Sequence, residues 1–107
     1  MMQFDLDTQS IHRDLFMSIR QLLMVDYGLN EIKKERITTY SDKNGGICHM
    51  RTMEYGVDVG FLKGVYLKDE LAQLSGTGKL MRVLAIRELD KEKLKYYFDQ
   101  AIMLNTA

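Results

Sequence analysis

Apolar residues recur at three- and four-residue spacing in two segments, one towards each end of the chain. The first segment runs from residue 11 to about residue 27, and its repeating positions are Ile11, Leu15, Ile19, Leu22 and Leu23. The second follows Asp90 and runs to about residue 105, with repeating positions Leu94, Tyr97, Phe98, Ala101 and Ile102. This spacing places apolar side chains on one stripe of a helix. The pattern therefore predicts an N-terminal and a C-terminal helix, each with one apolar face.

The middle of the chain changes to β-branched and aromatic residues, which favour strands. We expect strands over residues 37–40, 47–53, 57–64 and 80–89, with the last apolar enough to lie inside a sheet. The stretches "SDKNGG" and "EYG" between the first three have the composition of tight turns. Residues 66–74 remain ambiguous, with a short helix as one interpretation.

Helices at both ends of a strand-rich centre predict one α+β domain spanning residues 1–107. Hairpin connections make the sheet mostly antiparallel, and we expect about four to five strands. Because each helix has a single apolar stripe, both helices are expected to cover the same face, which gives a two-layer sandwich. The other face is then left open to solvent, a ligand or a second subunit.

Composition narrows the class of protein. The chain carries 15 basic and 15 acidic residues, whereas nucleic-acid binders usually show a basic excess, so we expect no nucleic-acid partner. The single cysteine, Cys48, excludes an intramolecular disulfide. The start "MMQFDLD" lacks the basic and apolar regions of a signal peptide, and no apolar run is long enough to span a membrane. A cytoplasmic protein with no membrane association is the resulting expectation.

The stretch "SGTGK", residues 75–79, resembles a phosphate-binding loop in composition. Such a loop needs a glycine five positions before the glycine–lysine pair and a hydroxyl residue after the lysine. Here those places hold Gln73 and Leu80, and a strand is expected to follow instead of a helix. We therefore interpret the stretch as a glycine-built entry into a strand. An anion at Lys79 remains a minor hypothesis.

Candidate metal ligands are few. Cys48 and His49 are adjacent, so on a strand they face opposite sides. Asp7 and Asp14 are seven residues apart, which is about two helical turns, so they could share one helix face. Carboxylates suit iron, and this pair is the candidate metal site. The alternative is that both residues complement the positive end of the first helix.

A candidate ligand site is predicted on the open face of the sheet. Strand alternation could bring together Tyr40, Asp58 and Arg82, and polar groups among apolar ones are typical of small-molecule pockets. A cross-strand ion pair between Asp58 and Arg82 is the alternative. His49 and Arg51 share a face with each other, but the pattern leaves open which face.

Two runs carry a family resemblance over about residues 11–105. "ITTYSDKNGGICHMRTMEYGVDVGFLKG" and "LSGTGKLMRVLAIREL", followed by the C-terminal helix, resemble the bacterial YdhG-like domain of unknown function. The residues that match its motifs are Tyr40, Gly60, Phe61, Lys63, Gly64, Gly76, Gly78, Lys79 and Arg82. The resemblance implies helices packed on an antiparallel sheet. It also implies a frataxin-like iron chaperone that binds iron weakly through surface carboxylates and delivers it to a partner.

These observations leave two function hypotheses. The first is a non-enzymatic binding or chaperone-like module that binds iron, or that forms a homodimer through the open sheet face. The second is a small-molecule or enzymatic pocket around Tyr40, Asp58 and Arg82. No catalytic motif in the sequence favours the second.

Overall fold

Three α-helices pack on a single β-sheet in the structure, a computed structural model that describes residues 1–106. The helices are α1 (Gln3–Asp7), α2 (Arg13–Gln21) and α3 (Lys91–Leu104). A π-helical turn, Leu22–Asp26, continues α2, and Gly28 ends the segment with a positive φ of 64°. Within residues 1–106, no helix has both the length and the apolar character needed to cross a membrane.

The sheet contains six strands rather than the four to five expected. They are β1 (Asn30–Lys33), β2 (Thr38–Asp42), β3 (Gly45–Met53), β4 (Gly56–Phe61), β5 (Leu74–Ser75) and β6 (Arg82–Ile86). Their order across the sheet is β1-β2-β3-β4-β6-β5, and every neighbouring pair is antiparallel. The predicted α+β class and the interior position of the last long strand are confirmed.

One face of the sheet carries the hydrophobic core. Val57, Val59 and Phe61 alternate along β4 and are buried, and the Phe61 ring lies 5.7 Å from the ring of Phe98 on α3. The same core includes buried residues of α2, α3 and the neighbouring strands, among them Phe16, Ile19, Leu94, Cys48, Met50, Leu84 and Ile86. Both long helices therefore cover the same face, as their apolar stripes predict.

The connection between β4 and β6 is a loop rather than a helix. It contains one 3₁₀ turn, Gly64–Tyr66, and the short strand β5. Asp69 explains the absence of helix, because its carboxylate accepts the backbone N–H groups of Gln73 and Leu74. This local bonding competes with helical hydrogen bonds. Ala72 also has a positive φ of 55°, which a right-handed helix excludes.

Gly56 offers a test of the strand packing. Its φ is +153°, and an added Cβ would lie 2.0 Å from the backbone oxygen of Ile86 on β6. We expect Gly56→Ala to lower the free energy of unfolding by about 2 kcal/mol or more, through strain and steric overlap. Gly78→Ala is the matched control, since an added Cβ there meets nothing within 4 Å. Urea denaturation measures both, and equal losses would contradict this packing.

Candidate functional site

A group of polar side chains lies on the sheet face that the helices leave uncovered. The strand register places His49 beside Gly60, and Arg51 beside Asp58, on neighbouring strands β3 and β4. Because their neighbours Met50, Val57 and Val59 face the core, these residues face the other way. The register thus resolves the face that sequence alone left open. We call His49, Arg51, Tyr55, Asp58 and Arg87 the open-face cluster.

Tyr55 and Asp58 form the centre of the cluster. The Tyr55 hydroxyl donates a hydrogen bond to Asp58 Oδ1, and the Arg87 guanidinium lies over the Tyr55 ring at 4.9 Å from its centroid. Burial, and then the bond to Asp58, raise the pKa of Tyr55 to about 12. Tyr55 therefore remains a protonated donor at neutral pH, and the aspartate, the phenol and the guanidinium hold one another in place.

His49 lies flat against the backbone of β4. An added Cβ on Gly60 would be 2.3 Å from the imidazole Cε1, so only glycine leaves room for the ring there. Burial, followed by the charge of Arg51, lowers the pKa of His49, while the charge of Asp58 opposes this shift. The ring is therefore neutral at pH 7, and its Nδ1 is buried without a hydrogen-bond partner among the described residues. Gly60 thus leaves space for the imidazole ring against the backbone of β4.

The open-face cluster lies on the sheet face opposite the helices, and none of its residues lines any of five concave regions of the described surface. One of them, a groove of about 330 Å³ on the helix side, is lined by Tyr66, Lys68, Gln100, Met103 and Leu104. The cluster therefore offers charge and hydrogen bonds on a broad surface.

Tyr40 does not join Asp58, contrary to the prediction. Its side chain is buried in the core, and its hydroxyl donates a 2.9 Å hydrogen bond to Glu31 Oε2. Glu31 also pairs with Arg20 of α2, with 2.5 Å between Oε2 and Nε. A register shift between Tyr40 and Ser41 shows that regular alternation ends at this point of β2. Tyr40 thus helps to fix α2 to the edge of the sheet.

Arg82 and Asp58 also lie apart. Asp58 pairs in register with Ala85, so the predicted cross-strand ion pair with Arg82 is wrong. Arg82 pairs with Phe61, and its Nη1 donates to the carbonyl oxygens of Gly78 and Met81, both at 2.6 Å. The guanidinium therefore closes the glycine loop that leads into β6.

Lys79 lies in that loop and is exposed. The loop ends in strand β6 with no helix after it, so the arrangement typical of a phosphate-binding loop is absent from residues 1–106. An anion at Lys79 stays a prediction.

The two aspartates predicted to bind metal occupy different environments. The chain leaves helix after Asp7 and resumes it at Arg13, so Asp7 and Asp14 do not share one helix face. The Asp14 side chain is 97% exposed and pairs with Arg13. Asp7 is fully buried, and its Oδ1 accepts bonds of 2.8–2.9 Å from Gln3 and from the backbone and hydroxyl of Thr52. Its Oδ2 is buried with no hydrogen-bond partner among the described residues. Because Asp7 is buried and Asp14 lies in solvent, the pair does not form one metal site.

Within residues 1–106, no group of three or more His, Cys, Asp or Glu side chains converges on a point where a metal ion could be held. Cys48 is buried in the core, and burial raises the pKa of its thiol. It therefore stays a neutral, apolar core residue at physiological pH.

Sequence reasoning missed Tyr55 and Arg87 as members of the site. Tyr55 lies in the turn "EYG", and Arg87 lies within the strand expected over residues 80–89 but follows the end of β6 in the structure. The one sequence signal concerns Arg87, which directly follows the core position Ile86 and therefore points to the other face if the strand continues, whereas Tyr55 in its turn carries no such signal. That signal is informative only once the strand register is known.

Comparison of the chain with protein-family models, with curated proteins and with solved structures found no match in any of the three. The YdhG-like and frataxin-like resemblance therefore stays a prediction, and function must be argued from the geometry above.

The contrast between Asp7 and Asp14 gives a stability prediction. Asp7→Ala removes the acceptor of three hydrogen bonds and leaves the Thr52 donors unpaired, so we expect a loss of about 2 kcal/mol or more in unfolding free energy. Asp14→Ala removes an exposed carboxylate in the first turn of α2 and should cost less than about 1 kcal/mol. Thermal and urea unfolding compare the variants. A larger loss for Asp14→Ala would show that the Asp7 contacts are unimportant.

The cluster also makes a prediction for proton binding. NMR titration of His49 should give a pKa below 6.5, raised by Arg51→Gln and lowered further by Asp58→Asn. Since the unfolded chain then takes up this proton at higher pH than the folded chain, stability conferred by neutral His49 is complete above about pH 6.5. It is lost as pH falls from there through the folded-state pKa. Shifts of the same sign in both variants would refute this arrangement of charges.

Proposed function

We propose that the protein is a non-enzymatic binding module that recognises an acidic partner protein through the open face of its sheet. The observation that carries the proposal is the open-face cluster, in which Tyr55, Asp58 and Arg87 are fixed by mutual contacts on a face that no helix covers. Prearranged side chains lose little conformational entropy on binding.

The composition of the face supports a protein partner. Tyrosine and arginine are among the residues most enriched at energetically important interface positions. Val83 and Ala85 on β6, both half-buried, lie beside the cluster in register with Gly60 and Asp58 and add apolar area. A broad surface of this kind suits another protein better than a small molecule, which prefers an enclosed cleft.

The charge of the face supports an acidic partner. Arg51 and Arg87 carry two positive charges, His49 is neutral at pH 7, and Asp58 contributes one negative charge already bound to Tyr55. The open-face cluster is therefore net positive although the whole chain is neutral. Complementary charge on a partner would speed association and fix its orientation.

The alternative of a small-molecule or enzymatic pocket around Tyr40, Asp58 and Arg82 loses its support. Tyr40 is buried among core residues, Asp58 lies on the opposite face, and Arg82 is bound to two backbone carbonyls. No convergent pocket is left for a substrate at these three positions.

The further proposal that this module binds and delivers iron rests on the frataxin-like resemblance alone. Asp7 and Asp14 give it no support as a pair, because Asp7 is buried in the interior and Asp14 lies in solvent. An anaerobic titration of the protein with ferrous iron, followed by calorimetry, tests this part separately. Binding that is lost in Asp14→Ala would support the aspartate site, whereas binding unaffected by that change would exclude it.

The binding surface is tested by site-specific photo-crosslinking in cells. A photo-reactive residue at Thr39 or Ala85, on the open face, should capture a defined partner, whereas one at Ser18 or Lys95, on the helix side, should not. The combination Arg51→Glu with Arg87→Glu should weaken binding of the purified partner by roughly tenfold or more.

The matched control is Lys68→Glu with Lys95→Glu, an equal change of charge at exposed positions of the helix side. It should leave the affinity unchanged. Capture from the helix side alone, or equal loss of affinity in both double variants, would contradict the proposal. Capture of a second copy of the chain would instead assign this face to a homodimer.

A further inference from the structure

The strand β1 forms one edge of the sheet, and within residues 1–106 no strand pairs with its outer side. Three of its four residues, Asn30, Ile32 and Lys33, are exposed, and Ile32 keeps 52% of its surface in solvent. Exposed edges pair readily with further strands, so many proteins protect them. The exposed edge of β1 is therefore available to pair with a further strand.

The backbone groups that point outward can be assigned. Lys34 donates its N–H to the carbonyl of Ile37 at 2.9 Å, and the hydroxyl of Thr39 donates to the carbonyl of Ile32 at 3.4 Å. Ile32 therefore turns its backbone groups inward, towards β2. Because the direction alternates along a strand, Glu31 and Lys33 turn their N–H and C=O groups outward.

The two residues whose backbone groups point outward, Glu31 and Lys33, have opposite charges. This edge is therefore complementary to a second copy of the same strand. If two β1 strands run antiparallel about a twofold axis at Ile32, each Glu31 lies opposite a Lys33 in a pair that exchanges two backbone hydrogen bonds. Centring on Glu31 would oppose two glutamates, and centring on Lys33 would oppose two lysines, which is unfavourable. Only the arrangement about Ile32 places unlike charges opposite each other on both sides. Each Glu31 carboxylate is then still bound to Arg20 and Tyr40 of its own chain.

The side chains of β1 are already held in place for this pairing. Glu31 is fixed by Arg20 and Tyr40, and the Lys33 ammonium lies 4.0 Å from the centroid of the Phe4 ring. The exposed Ile32 side chains would meet across the axis and cover each other. Little side-chain order would then have to be gained on association.

We propose that two copies of this chain associate through their β1 strands, antiparallel and centred on Ile32, to form one continuous sheet. The twofold axis is perpendicular to the sheet, so both open faces lie on the same side. The dimer would present two open-face clusters to one partner surface, which increases avidity without new contacts. The pairing itself does not depend on the proposed function.

Cysteine crosslinking tests the register. Residues at Ile32 would lie opposite each other in a non-hydrogen-bonded pair, with Cα atoms roughly 4.5 Å apart, within reach of a disulfide. Ile32→Cys should therefore form a covalent dimer rapidly under mild oxidation, and the native Cys48 is buried and should not interfere.

Asn30→Cys and Lys34→Cys are the matched controls. In the proposed register residue 30 lies opposite residue 34, so each variant alone should crosslink slowly and an equal mixture of the two should crosslink quickly. Crosslinking of Ile32→Cys no faster than that of Asn30→Cys alone would overturn the proposal.

Sedimentation of the unmodified protein gives a second, independent test. Wild type should show a concentration-dependent dimer. In Lys33→Glu, each new glutamate would lie opposite Glu31 of the second copy, so the dissociation constant should rise roughly tenfold or more. Lys33→Pro should also disrupt the dimer, because it removes an outward N–H without removing a bond to β2. Circular dichroism checks that both variants remain folded.

Lys43→Glu, the same charge change in the exposed turn between β2 and β3, should leave the dimer intact. A monomer at every concentration would overturn the proposal and would leave the edge to a strand from another protein. An equal effect of Lys33→Glu and Lys43→Glu would overturn it as well.

Discussion

The structure depends on one constraint: two long helices supply enough apolar surface to cover one face of a six-stranded sheet and no more. Buried residues such as Phe16 and Phe98 meet the alternate residues of the strands on that side. The intervening residues of the same strands face away from the helices, and several of them, such as His49, Arg51 and Asp58, are polar. The charged cluster around Asp58 therefore follows from the same alternation that builds the core.

Tyrosine–carboxylate pairs connect the periphery of this sandwich. Tyr27 donates to Asp99, Tyr40 to Glu31, Tyr55 to Asp58 and Tyr97 to Asp69. In each case burial and the carboxylate raise the pKa of the phenol, which therefore stays protonated and keeps its donor. In a chain with no disulfide and no proline, such bonds attach an edge strand, a turn and a loop to the core.

Long helices and strands were predictable from sequence, because burying one face requires apolar residues to recur with the period of the helix or strand. The two long helices and the three meandering strands from residue 38 to residue 61 were found in this way. The edge strand β1, "NEIK", was missed because an edge strand need not be apolar. The short helix α1 was missed because five residues contain little more than one helical turn.

The candidate site was less predictable, since side-chain neighbours depend on strand register. Asp58 and Arg82 are on adjacent strands, as expected, but the length and path of the loop between β4 and β6 set their offset. The register shift after Tyr40 is likewise invisible in composition. Asp7 and Asp14 were separated by a break in helix that no glycine or proline marks. Sequence pattern thus gave the apolar stripes of the helices, but neither the face of Tyr40 and Arg82 nor the alignment between strands.

The position of β6 beside β4 has a consequence for how the chain folds. Strands β1 to β4 form a meander of neighbouring hairpins, whose contacts are local and can form early. The pairing of β6 with β4 must instead close the loop of residues 62–81, which carries an entropic cost before any contact is gained. The final helix can complete the core only after that closure. The Arg82 bonds to Gly78 and Met81 order only the last residues of this loop, so most of its closure must be driven by the pairing of β6 with β4.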